Sequence, residues 1–435
     1  MRPRQLLTEY IILPISDLVN RQSVYRWLQF LKRSALWNEE QLRDFQNERF
    51  RTLIHHAASH VPYYRDWFHQ NGADPNDFHS IDDLPRLPVV SKSLMRQEGV
   101  YRFVADNISK HQRVTAHSSG STGEPFEYYI SREAYSLNTA AKLRTWYDAG
   151  YRLGDKFVKL SSSPRESRIK RLQDQLSNGV VIPFHSLDDQ ALSSILDVFE
   201  QVKPNIIRTH PNAIYYLARY RESHPDRFSF KPNHIMTTSA NLPASFRSII
   251  ERVFGCDVID AYSCEGTPNT AENPLHDGYH VSREYGILEV LDPDGKPLQQ
   301  GIGRSVGTDL WNMAMPFIRY DTQDLLMLDE RGTICRIVGR KCELLSSANG
   351  KRFTGQVIDD YFNYQTHHSV EAFQIVRRRD GNVLIRLIVN ERFDEIIRQS
   401  VSEYWSTELN THVEVQTVEH IPLMHNNKYL TIIDE

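Results

Sequence analysis

Between residues 156 and 259, short apolar runs alternate with amphipathic stretches, and that alternation narrows the fold more than any other feature of the chain. Lys156-Phe157-Val158-Lys159-Leu160, Ile206-Ile207, His234-Ile235-Met236-Thr237-Thr238 and Asp257-Val258-Ile259 have the length and apolar content of strands. Leu192 to Val202, Ala213 to Tyr220 and Phe246 to Phe254 space their apolar residues as helices do. Strand and helix in turn predict an α/β fold, a parallel sheet joined by crossover helices. Ligands of such sheets sit beyond the carboxyl ends of the strands. Three loops qualify: Arg208-Thr209-His210-Pro211, Ser239-Ala240-Asn241-Leu242-Pro243 and Ala261-Tyr262-Ser263-Cys264-Glu265-Gly266.

Upstream of this region, Ser118-Ser119-Gly120-Ser121-Thr122-Gly123-Glu124-Pro125 lies between two stretches that read as strands, Arg113 to Ala116 and Phe126 to Ile130. Its glycines let the backbone enter positive φ and approach a ligand closely. Its hydroxyls add donors where no acid stands before Glu124. A nest of N–H and O–H donors suits a polyphosphate. A solvated hairpin loop has the same composition. The loop lacks the Gly-Lys-Ser/Thr ending of a Walker motif, so the common NTPase fold is not expected.

A chain of 435 residues exceeds what one core supports, so two or more domains are expected. The formal charge of −4 argues against a nucleic-acid partner. Four cysteines without close pairing point to a reducing compartment, and no signal-peptide pattern is visible, so a cytoplasmic protein is expected. Residues 1–70 have helical spacing that Pro62 interrupts at Val61. The stretch 10–33 is apolar, aromatic and basic, a candidate for peripheral membrane contact as well as for packing on the domain. His55, His56 and His60 cluster without a placed acid or cysteine, and Arg165, Arg168, Lys170 and Arg171 suit a solvated helix face or an anionic ligand.

The donor loop resembles the phosphate-binding signature of the adenylate-forming superfamily, and more narrowly its phenylacetate–CoA ligase and CapK-like branch. Four further stretches follow in that family's order. Tyr262-Ser263-Cys264-Glu265-Gly266 is similar to the motif whose aromatic stacks on adenine and whose Glu holds Mg²⁺, with Ser263 replacing a glycine. Met315-Pro316-Phe317-Ile318-Arg319-Tyr320-Asp321-Thr322-Gln323-Asp324 resembles the signature whose last acid binds the ribose hydroxyls, with Gln323 replacing a glycine. Gly339-Arg340-Lys341-Cys342-Glu343 resembles the hinge, and Lys428, preceded by Asn427 instead of glycine, matches the late catalytic lysine.

The resemblance implies a large N-terminal domain with mixed and parallel sheets (residues 1–338) and a small mobile C-terminal α/β domain (residues 339–435). It implies ATP and Mg²⁺ as cofactors, with Ser118, Ser119, Gly120, Ser121, Thr122, Gly123, Ser239, Ala240, Tyr262, Asp324 and Arg340 around the nucleotide. Glu265 would hold the metal, and Lys428, Glu265 and Thr122 would act in catalysis. His210, Ser239 and Asn241 are candidates for lining the pocket of a small carboxylate substrate. The implied product is an acyl-adenylate, passed to coenzyme A or to an amine or sugar acceptor, in polysaccharide or secondary-metabolite synthesis. Cys264, His276 and His280 supply too few thiolates, which disfavours zinc. The lost glycines leave a second reading open, a non-catalytic scaffold of a polysaccharide assembly.

Overall fold

The computed structural model describes residues 2–117, 127–161, 168–183, 189–264, 266–272, 277–340, 344–347, 352–354, 358, 361–362, 365–366, 369–421 and 431–435. Contacts gather into two units, Met1–Asp155 with Ala261–Arg336, and Lys156–Asp260 with Ile337–Glu435.

In the first unit, antiparallel strands run in the order Gly286–Leu291, Gly301–Asp309, Tyr320–Leu328, followed by the start of Ile334–Arg340, then Tyr279–Val281 and Thr270–Glu272. The short strand Val90–Ser91 pairs parallel to Tyr320 and Asp321. Helices Val24–Ser34, Glu39–His60, Pro62–Gln70 and Arg132–Asp148 supply much of the core, with Trp27, Phe50, Tyr64, Leu137, Trp311 and Phe317 buried together. Asn38 and Gln41 form a capping box at the start of Glu39–His60, and Val61, extended ahead of Pro62, ends that helix as the sequence predicts. Ser91 and Ser131 cap the helices that follow them, each accepting a backbone N–H. The aromatic and basic helix Val24–Ser34 turns Trp27, Leu28 and Leu31 into the core. His56 Nε2 lies 2.8 Å from the Met313 carbonyl and His60 Nδ1 3.2 Å from Asp106 Oδ1.

A buried ion pair fastens this unit. Arg144 meets Glu284 at 2.6 and 3.1 Å, and the Ser34 hydroxyl donates to the same carboxylate at 2.7 Å. Burial pushes the Glu284 carboxyl up, but Arg144 and Ser34 outweigh it and hold the group below its ordinary 4.5. A folded value below the unfolded one contributes stability above pH 4.5, and that contribution is lost as pH falls through the folded value. Glu284→Gln is therefore expected to lose about 2 kcal/mol near neutrality and to flatten the acid limb of the stability profile, read by urea unfolding against pH.

In the second unit, Gly179–Pro183, Phe157–Ser161, Ile206–Thr209 and His234–Thr238 form consecutive parallel pairs. Helices Asp189–Val202, Pro211–Glu222 and Ala244–Phe254 bury Leu196, Phe199, Ile214, Tyr215, Phe246 and Phe254. Tyr215 and Phe246 stack with ring centroids 3.9 Å apart. The same unit contains a sheet ordered Val413–Thr417, Val383–Val389, Val370–Arg377, Ile432–Asp434, with helix Glu395–Leu409 contributing Val401, Trp405 and Leu409 to its core. Phe157–Ser161, Ile206–Thr209, His234–Thr238 and the helices Asp189–Val202, Pro211–Glu222 and Ala244–Phe254 fall where the sequence predicts them, within three residues at each end, whereas the strands Gly179–Pro183 and Ile432–Asp434 carry no prediction. No helix among the described residues is long and apolar enough to cross a membrane.

Candidate active site

Antiparallel strands Gly301–Asp309 and Tyr320–Leu328 are in register on either side of one interruption. Arg304 pairs with Leu325 and Val306 with Asp321, so Ser305 alone faces Thr322, Gln323 and Asp324. The extra residues form a bulge, a device that re-aims side chains where a regular ladder cannot. Gln323 takes up the geometry with φ of +64°, the left-handed region that favours glycine. The residue that replaces the motif's glycine therefore keeps the turn, at the expense of local strain. The Thr322 hydroxyl accepts the Asp324 N–H at 3.1 Å and donates to the Ser305 carbonyl at 3.1 Å, and Asp321 Oδ1 accepts the Gln323 N–H at 2.8 Å.

Into this bulge comes Tyr262, the last residue of strand Asp257–Tyr262. Its hydroxyl donates to Asp324 Oδ2 at 2.8 Å and lies 3.2 Å from Ser305 Oγ and 3.3 Å from Thr322 Oγ1. Burial, and then the neighbouring Asp324 carboxylate, raise the Tyr262 phenol well above its ordinary range, so the hydroxyl keeps its proton as a donor. Asp324 is 7% exposed. The structure thus joins two residues that the sequence assigns separately to adenine and ribose. A carboxylate has capacity for more than one donor on each oxygen, so the bond from Tyr262 leaves Asp324 able to accept others.

The turn after Tyr262 is fixed on both sides of residue 265. The Cys264 N–H donates to Thr267 Oγ1 at 2.9 Å and the Thr267 N–H to the Cys264 carbonyl at 3.2 Å. Gly266 has φ of +73°, and a Cβ there would lie 2.5 Å from Phe317 Cβ. Only glycine fits that approach. Glu265 itself lies outside the described residues.

Strands Arg113–His117 and Glu127–Ser131 pair antiparallel with His117 opposite Glu127. Ser118, Ser119, Gly120, Ser121, Thr122 and Gly123, which connect them, lie outside the described residues, as do Lys428 and the segment Lys341–Glu343. Arg340 closes the strand Ile334–Arg340, its side chain undescribed.

In the second unit, the parallel register of Thr209 with Thr237 brings the carboxyl ends of two strands together. His210 Nδ1 lies 3.2 Å from the Thr238 carbonyl. Ser239 follows with φ of +72°, exposed, and Ala240 and Asn241 are half-buried. The buried Thr237 hydroxyl donates to Asp260 Oδ1 at 2.7 Å, holding the base of the loop. The residues that sequence reasoning missed are Ser305 and Thr322. Their role depends on the bulge, for which the only signal is the unbroken polar run Asp321-Thr322-Gln323-Asp324 in a strand that is otherwise apolar.

No family model matches the chain. A phenylacetate–coenzyme A ligase of Thermus thermophilus is 26% identical over 385 residues, spanning 83% of this chain and 84% of its own. The protein CapK of Staphylococcus aureus is 21% identical over 393 residues, spanning 86% of this chain and 85% of its own. Among solved structures, a 2-hydroxyisobutyryl-CoA ligase in its postadenylation state, in complex with an acyl-AMP, superposes with a TM-score of 0.71 at 21% identity, covering 89% of this chain and 88% of its own.

Proposed function

Because the chain belongs to the adenylate-forming superfamily, in the branch of the phenylacetate–CoA ligases and CapK, we propose that it joins a small organic carboxylate to the AMP portion of ATP and hands the acyl group to coenzyme A or an amine. It is an AMP-forming carboxylate ligase. In the first step a carboxylate oxygen attacks the α-phosphorus, the bond to the β-phosphate oxygen breaks, and pyrophosphate leaves. In the second, the acceptor's thiol or amine attacks the acyl carbon, AMP departs, and the acceptor loses a proton.

The observation that carries the reading is the Tyr262–Asp324 contact, built into a strained bulge where the sequence departs from the motif. Asp324 would accept the ribose hydroxyls, and the Tyr262 ring would lie against the base. The backbone and hydroxyl donors of residues 118–123 would hold the phosphates, and Lys428 and Arg340 would neutralise charge at the reacting end. Glu265, a single carboxylate between Cys264 and Gly266 in the sequence, would hold Mg²⁺. The ion would supply charge neutralisation on the triphosphate. His210, Ser239 and Asn241 would line the acyl pocket. Residues 339–435 would act as the mobile domain, moving about 340–343 between the half-reactions.

Pyrophosphate exchange into ATP, run against a panel of aliphatic and aromatic acids, tests this reading. Exchange stimulated by one acid class supports it, and a chain inert with every acid is the scaffold instead. Hydroxylamine, coenzyme A and amines added to the active acid then identify the acceptor. Asp324→Asn is expected to raise KM for ATP about tenfold, and Tyr262→Phe about fivefold, the loss of one hydrogen bond to a charged group in each case. Since the two side chains share a bond, the double variant should fall short of the product of the singles, measured by steady-state kinetics at fixed acid.

A further inference from the structure

The helical stretch from Pro3 to Asn20 is built inside out. The residues it buries are all polar: Gln5, Thr8, Glu9 and Asp17. Gln5 Nε2 donates to Asp155 Oδ1 at 2.8 Å, and the Tyr25 N–H donates to Asp17 Oδ2 at 2.7 Å. Glu9 accepts from Gln29 Nε2 and the Tyr147 hydroxyl, each at 2.8 Å, and pairs with Lys32. Most of its apolar residues face outward: Leu7, Tyr10, Ile11, Ile15, Leu18 and Val19 are exposed, Leu18 by 82%, while Leu13 packs against the core. A helix that served only the core would show the opposite arrangement.

The stripe is continuous despite Pro14. Proline there has no N–H to return to the preceding turn, and the chain answers with a π-helical turn, Thr8–Ile12, in which the Leu13 N–H reaches the Thr8 carbonyl. Helix Leu13–Asn20 then continues to a left-handed Arg21.

The charges around the stripe are of one sign. Over residues 2–33 the acids are Glu9 and Asp17, both buried and bonded internally. The cations Arg2, Arg4, Arg21, Arg26 and Arg33 are exposed, in a chain whose formal charge is −4. An outward apolar face rimmed by arginine matches a bilayer surface carrying anionic headgroups. A second copy of the chain would bring the same cations against themselves. We infer that the Pro3–Asn20 segment lies flat on an anionic lipid surface, its leucine and isoleucine side chains at the acyl boundary and its arginines among the headgroups. The stretch singled out in the sequence at 10–33 thus divides: the outward face of 10–19, extended by Leu6 and Leu7 before it, meets lipid, and the helix that starts at Val24 packs inward. This inference stands apart from the proposed ligase reaction, since no residue of the segment has been placed in the active site.

The test is co-sedimentation of the full chain with vesicles of phosphatidylglycerol and phosphatidylcholine, against pure phosphatidylcholine. Binding is expected to the anionic vesicles only and to fall at about 0.5 M salt, where exposed charges are screened. Ile11→Glu with Leu18→Glu, at exposed positions, is expected to weaken vesicle binding at least about tenfold with unchanged thermal melting and unchanged pyrophosphate exchange. The milder pair Ile11→Ser and Leu18→Ser should weaken it in the same direction, which guards against misfolding of the charged variant. Arg21→Ala with Arg26→Ala should remove part of the salt-sensitive binding. Wild-type protein that stays in the supernatant with anionic vesicles at low salt, or variants that bind as well as wild type, would overturn the inference. So would a dimer in sedimentation velocity that the glutamate variant abolishes, since the face would then be a contact between copies.

Discussion

Lys428→Ala is expected to slow adenylate formation by about 10²–10³-fold, the usual loss when one preorganised charge-stabilising donor is removed. The reaction moves negative charge onto the α-phosphate oxygens as the acid attacks, and an ammonium held there, the role proposed for Lys428, would stabilise the transition state more than bound ATP. The loss should therefore fall on kcat for pyrophosphate exchange, with ATP affinity altered no more than about threefold by titration. Lys428→Arg should not restore the rate, because a planar fork does not place its charge where a compact ammonium does. Exchange at the wild-type rate in Lys428→Ala would remove the lysine from the mechanism.

Arg319→Ala should destabilise the fold by about 3–5 kcal/mol, the range for removing one partner of a buried ion pair. Arg319 is 3% exposed and donates to Glu289 through Nε and Nη2, each at 3.1 Å. Its Nη1 also donates to the Leu87 and Pro85 carbonyls, at 2.9 and 3.3 Å, so one guanidinium ties the segment before Val90 to two strands. Burial already raises the Glu289 carboxyl above its ordinary 4.5 with the arginine present. Without Arg319 that value climbs further. A folded value above the unfolded one favours the fold below pH 4.5 and is lost as pH rises through the folded value. The deficit of Arg319→Ala should accordingly be smallest in acid and grow toward neutrality, and Glu289→Gln in the same chain should recover part of it. Urea unfolding between pH 4 and 7 reads both effects.

Arg319 also shows where sequence reading reached its limit. The stretch Met315 to Asp324 is matched as a unit, and the match says nothing about which residues touch a ligand and which hold the strand. The strands Phe157–Ser161, Ile206–Thr209 and His234–Thr238 were legible because each is a short apolar run and helices lie between them along the chain, whereas Gly179–Pro183, mostly half-buried, was not. Order along the chain was enough to nominate Tyr262 and Asp324. Their bond was not legible, since it depends on a three-against-one pairing at Ser305 that leaves no periodic trace. The backbone at Gln323 was illegible for a related reason: residue type records only a preference for left-handed backbone, and tertiary contacts overrode it. The Pro3–Asn20 segment was readable as apolar, but which face it turned outward depended on partners far along the chain, Tyr147 and Asp155.

The irregular pairing at Ser305 has a consequence for how this strand tolerates change in length. Thr322 and Asp324 point the same way because one residue separates them, and deleting Gln323 would make them neighbours on opposite sides of the sheet. The edited ladder would be smoother and free of its left-handed residue, yet the acid would turn its back on Tyr262. A gain in regularity here would cost the chain its grip on the one carboxylate it has bent a strand to aim.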